Sequence, residues 1–188
     1  QQDIMSGNGL FPQTPVRWMR ERPKCFSVRL IFIYCLTQPL CETHMTQDFV
    51  DPTRDRFRGF RSIPSNGPIH MLNLVCLRPI AAYPEEHELY GQSVSGLEAY
   101  QSYGRESKPI LKQVGGRIAY SADFQFTLIG PESEHWDIVF IAEYPSGDAF
   151  VSMVKTADYQ KAVVHRQAAV RTSRLLRMSP NAVGEEFG

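Results

Sequence analysis

From Ile69 to Leu77 almost every position is apolar, and the two parities sort into two faces. Leu72, Leu74 and Cys76 share one; Met71, Asn73, Val75 and Leu77 share the other. Such a run predicts a strand covered on both sides, with Asn73 as the polar exception. Downstream the period changes. Ser95-Gly-Leu-Glu98 fits a capping box, with Ser at the N-cap and Glu three residues on. Leu97, Tyr100, Ile110, Leu111 and Val114 follow at helical spacing, Pro109 predicts a kink, and Gly115-Gly116 ends the helix. Arg117 to Ile129 predicts a second strand, bulged or bent at Ala122-Asp123. Gly130-Pro131 turns the chain into a third strand, Trp136 to Tyr144. Ser146 then caps a second long helix, Asp148 suits its N-terminal dipole, and Phe150, Met153 and Val154 point inward. Asp158 is expected to cap a further helical segment, Tyr159 to Ala169, before a last strand from Arg171 to Met178. Ahead of the first strand, Asp51-Pro52-Thr53 predicts a short helix with Asp51 as N-cap, carrying Phe57 and Phe60 on one face.

Strand, helix, strand, strand, helix, strand is the ferredoxin-like order: an α+β fold with a four-stranded antiparallel sheet and helices on one face. Helices cover one face only, yet these strands read apolar on both. Another copy of the sheet is the simplest cover, so a homodimer is expected. The space between the two sheets is expected to hold Asn73 and Glu143 among Met71, Val75, Val139 and Ile141. Between the first strand and first long helix, residues 78–94 form a loop of about 17 residues, a length that points to function.

Length and charge narrow the classes. At 188 residues, one domain is expected. Twenty acidic residues offset twenty basic ones, which argues against nucleic acid or an anionic membrane as partner. Cys25, Cys35, Cys41 and Cys76 show no C-x-x-C pair, so reduced thiols in a cytosol fit better than disulfides or zinc. No run reaches the roughly 18–20 apolar residues of a membrane span. His44, His70, His87 and His135 lack metal-site spacing, phosphate-binding glycine loops are absent, and Ser93 does not sit in a nucleophile elbow. Neither a metal nor an organic cofactor is expected.

Residues 1–44 read differently, with Pro12, Pro15, Pro23 and Pro39, several arginines and one apolar run, Leu30 to Leu36. They fit a translated leader or non-native extension upstream of Met45, an ordered arm, or a secretory signal. The domain is expected to span 45–180, with 181–188 a polar tail.

Six short stretches carry a family likeness: Met71-Leu-Asn-Leu-Val75, Ala99-Tyr-Gln-Ser-Tyr-Gly104, Gly115-Gly-Arg117, Glu143-Tyr-Pro-Ser146, Asp158-Tyr-Gln-Lys-Ala162 and His165-Arg166. Over residues 49–178 the chain resembles the family called domain of unknown function 1330, within the dimeric α+β barrels. The resemblance implies the ferredoxin-like fold and a dimer; it implies no reaction, because sites are grafted onto folds.

Chemistry is expected at a few polar residues. A carboxylate buried at Glu143 would have a raised pKa and serve as a general base, or else make a structural hydrogen bond. His165 is the other proton-transfer candidate, and Arg166 beside it suits a carboxylate or carbonyl; a solvated helix end is the plain alternative. Asn73, Tyr103, Arg166 and Arg174 are candidates for binding a substrate. Two functions are compatible with this set. One is an enzyme without cofactor that encloses a small, partly apolar molecule and moves a proton through Glu143 or His165. The other is a non-catalytic binding protein using the same pocket. Whether Glu143 and His165 face one cavity separates them.

Overall fold

The computed structural model describes residues 48–182 and Gly184. The readings of residues 1–44, including Cys25, Cys35 and Cys41, lie outside the described residues. The elements run in order α1 (Arg54–Ser62), β1 (Ile69–Leu77), α2 (Gly96–Gln113), β2 (Arg117–Ala122), β3 (Ile138–Tyr144), α3 (Gly147–Val154), α4 (Ala157–Ala169) and β4 (Val170–Met178). The strands form one antiparallel sheet in the order β2-β3-β1-β4, the ferredoxin-like arrangement.

Cross-strand register fixes the faces. Ile69 stands opposite Tyr144, Met71 opposite Ala142 and Asn73 opposite Phe140. Ile69, Met71, Ala142 and Tyr144 pack with Ile110 of α2 and Met153 of α3, and Val75 packs with Ala99, Tyr100, Ala168 and Ala169. The odd-numbered residues of β1 therefore face the helices. His70 opposite Glu143, Leu72 opposite Ile141 and Leu74 opposite Val139 face the other way. This corrects the expectation that Met71 and Val75 line the far face beside Val139 and Ile141. It also separates Asn73 from Glu143, which lie on opposite sides of the sheet.

Local chemistry sets the element ends. Ser95 and Glu98 make both halves of the capping box. The helix they start runs through Pro109, and Gly115 ends it at a φ of 77°. Leu97, one of the apolar residues at helical spacing, is exposed. Ser146 caps α3 through the Ala149 amide. Two caps differ from expectation. Thr53 caps α1, because the carboxylate of Asp51 accepts instead from Gln167 Nε2 at 2.9 Å. Thr156 caps α4, which leaves Asp158 in the first turn. Gly96 lets α2 start against two neighbouring backbones: a Cβ there would overlap the carbonyl oxygen of Arg78 and crowd that of Ala169 at 3.1 Å.

β2 is shorter than the expected strand to Ile129. Ala122 pairs with Val139, and β3 begins one residue earlier at Ile138, so it offers the later residues no partner. Phe126, Leu128 and Ile129 are exposed. The irregular register falls between Ile118 and Tyr120, ahead of the expected Ala122-Asp123. Among the described residues no helix is long and apolar enough to cross a membrane.

Candidate functional site

The six residues singled out in the sequence fall into three separate places. Glu143 lies on the sheet face away from the helices. Arg117 grips its carboxylate with two bonds, Nε to Oε1 at 3.0 Å and Nη2 to Oε2 at 2.8 Å. His70 Nε2 lies 3.1 Å from Oε2. Hydrogen bonds from Arg117 and then His70 hold the carboxyl below the usual carboxylate range, outweighing desolvation. The expected raised pKa is thus reversed: Glu143 is held ionised, which weakens it as a base. Arg174 is on the same face, opposite Leu74. Its guanidinium sits 4.7 Å from the Phe49 ring centroid and 5.5 Å from that of Trp136, a cation–π packing role.

Asn73, Tyr103 and Arg166 are on the helix side. Asn73 donates its side-chain amide to Met71 O at 2.9 Å. Arg166 donates to Val50 O at 2.7 Å and to Ser173 Oγ at 3.0 Å, so it ties residues 49–51 to β4. Tyr103 belongs to a ladder of phenols. Its ring meets that of Tyr100 edge-on with centroids 5.5 Å apart, and its hydroxyl lies 3.3 Å from that of Tyr159. Tyr144 completes the group, its hydroxyl 3.9 Å from Met153 Sδ. Burial pushes the Tyr100, Tyr144 and Tyr159 phenols well above their ordinary value, and Arg166 partly opposes this at Tyr100 and Tyr159. All stay protonated as donors. The Tyr100 hydroxyl is buried and has no hydrogen-bond partner among the described residues.

His165 lies in neither place. Tyr83 Oη sits 2.8 Å from its Nδ1 and Glu106 Oε1 lies 3.2 Å from its Nε2. Tyr83 comes from the long loop, His165 from α4 and Glu106 from α2. Glu143 and His165 therefore do not face one cavity.

Four participants escaped the sequence reading. Tyr83 and Glu106 are 82 and 59 positions from His165, beyond any local spacing signal. Arg117 and His70 meet Glu143 only through register. Among the described residues no trio of His, Cys, Asp or Glu is placed to hold a metal.

Comparison with known proteins follows the same lines. The model of a domain of unknown function, DUF1330, matches residues 91–177, so β1 and its Met71–Val75 run lie outside the matched stretch. A protein of unknown function from Rhodopseudomonas palustris, RPA0582, is 50% identical over 72% of this chain and 99% of its own, with a TM-score of 0.67. The methylated form of RPA0582 gives 51% identity over 73% of this chain and 98% of its own, with a TM-score of 0.69. A DABB family protein with a ferredoxin-like fold from Mesorhizobium loti is 17% identical over 62% of this chain and 100% of its own, at a TM-score of 0.37. No protein of curated function matches. With a relative that shares half its residues over nearly that relative's whole length, and with the family model on α2 through β4, the chain belongs to the DUF1330 family.

Proposed function

We propose that the protein is a homodimer in which each protomer binds a small, partly apolar molecule between helices and sheet, against the Tyr100 hydroxyl. That hydroxyl carries the reading. A buried polar group without a partner costs about 1–3 kcal/mol, and an acceptor on a ligand removes the cost. The surroundings define the ligand class. Tyr100 shares its cluster with Val75, Ala99 and Val170, and Tyr103 and Phe140 pack against it. A protonated phenol in an apolar and aromatic setting fits a molecule with a carbonyl or hydroxyl oxygen on a largely apolar frame.

Dimerisation belongs to the same reading. The sheet face away from the helices carries Leu72, Leu74, Val139, Ile141, Tyr120 and Leu176, and Tyr120 and Leu176 are exposed in the single chain. A second sheet would cover them. A cytosolic location is part of the proposal and is supported by the buried Cys76, which forms no disulfide among the described residues. The separation of Glu143 from His165 favours a binding role over proton transfer by that pair.

Thermal shift with a panel of small carbonyl and hydroxyl compounds tests the binding site. At 100 times its Kd a ligand adds about 2.7 kcal/mol to stability. The expected result is a compound that raises the melting temperature of the wild-type protein clearly more than that of Tyr100→Phe. Equal shifts in both proteins would refute the role of Tyr100.

A further inference from the structure

His165 sits between two partners of graded exposure. Tyr83 is 6% exposed, the His165 side chain 13% and the Glu106 side chain 49%. The three groups form an unbroken line, Tyr83 Oη to Nδ1 at 2.8 Å and Nε2 to Glu106 Oε1 at 3.2 Å. The rings around it are packed. Tyr83 and His87 stack with centroids 4.5 Å apart, and both meet the His165 ring edge-on, at 5.7 and 5.4 Å. Leu89 N–H donates to His87 Nδ1, so the His87 proton sits on Nε2. A carboxylate only accepts, so a neutral His165 carries its proton on Nε2, toward Glu106, and Tyr83 O–H donates to Nδ1.

We propose that Tyr83, His165 and Glu106 form a proton relay that joins solvent to the helix side of the sheet and serves a bound carbonyl or hydroxyl compound. In one pass the Tyr83 Oη proton moves to Nδ1 while the Nε2 proton moves to Glu106 Oε1. Negative charge shifts from the carboxylate to the phenolate, and nothing else changes partner. Glu106 then exchanges its proton with water. At rest the charge stays on Glu106, because burial and then the Glu106 charge raise the Tyr83 phenol above its ordinary value.

The inner end is suitably placed. Tyr83 and Tyr100 belong to one apolar cluster, against which Tyr103 packs. Glu106 follows Tyr103 by three residues on α2, so the two side chains share a face of that helix. Use of the proton by a ligand rests on the Tyr100 reading above; the relay is a property of the ligand-free protein and is tested there.

The test follows the Tyr83 hydroxyl proton by low-temperature NMR, assigned by its loss in Tyr83→Phe. Removing a relay and removing a structural prop have opposite effects. Without the relay the buried hydroxyl loses its route to water and exchanges more slowly. Without a prop the loop loosens and exchange speeds up. His165→Gln is expected to slow exchange by about 100-fold, the low end of what a positioned acid–base group contributes. Glu106→Gln changes a half-exposed side chain, keeps the fold and is expected to slow exchange as well. It decides alone if His165→Gln does not fold. Unchanged or faster exchange in a folded variant overturns the relay.

Discussion

His70 and Glu143 stand opposite each other on β1 and β3, with Nε2 3.1 Å from Oε2, on the sheet face that no helix among the described residues covers. Arg117 reaches the same carboxylate from β2. Three adjacent strands thus contribute to one charged cluster within an otherwise apolar face, and the lowered Glu143 pKa follows from it.

That cluster gives a pH dependence. A carboxyl whose pKa is lower folded than unfolded adds stability above its unfolded value, about 4.3, and loses it as pH falls through the folded value. Glu143→Gln is expected to lower the melting temperature at pH 7 by about 2 °C, the scale of a partly exposed ion pair. The difference from wild type should fade below about pH 4. A gap that does not narrow as pH falls below that unfolded value would assign the loss to packing instead of charge.

Val139 tests the open face. It pairs with Leu74 and Ala122, and its side chain lies on the side away from the helices. Burying an unpaired charge there costs several kcal/mol. Val139→Asp is therefore expected to give a monomer or an insoluble protein by light scattering. A stable dimer of this variant would show that the face is not the interface.

Much of the fold is legible in the chain because its signals are local. The parity of Leu72 and Leu74 against Met71 and Val75 separates the faces of β1, and Ser95 with Glu98 marks the start of α2. Which face meets the helices is not local. Both are apolar, and only the packing of Ile69, Met71 and Val75 against Ile110, Met153 and Ala99 of the helices decides it. Asn73 and Glu143 consequently look like partners in sequence and lie on opposite sides of the sheet. The alternation from Phe124 to Ile129 reads as strand, but pairing needs a neighbour, and β3 supplies none before Ile138. Asp51 and Asp158 both resemble caps, and Thr53 and Thr156 fill those positions instead. Of the site, Tyr103, Arg166 and His165 are found as residue types. Arg166 serves the segment around Val50, and His165 meets Tyr83 only once the long loop folds over α4 and Glu106 only once α2 packs on α4.

Gly96 tests how closely α2 must approach the end of β1. The carbonyl oxygen overlapped by an added Cβ belongs to backbone and cannot swing aside as a side chain does. Gly96→Ala is expected to destabilise by about 2–3 kcal/mol, toward the upper end for overpacking, despite the better helix propensity of Ala. Urea unfolding measures it. A variant as stable as wild type would mean that the contact relaxes freely.

A crystal structure with the most stabilising compound from the thermal-shift panel tests the central claim most directly. The account predicts the compound between α2, α4 and the sheet, with an oxygen about 3 Å from Tyr100 Oη. A compound bound elsewhere, with Tyr100 Oη still buried and unpartnered, would contradict it.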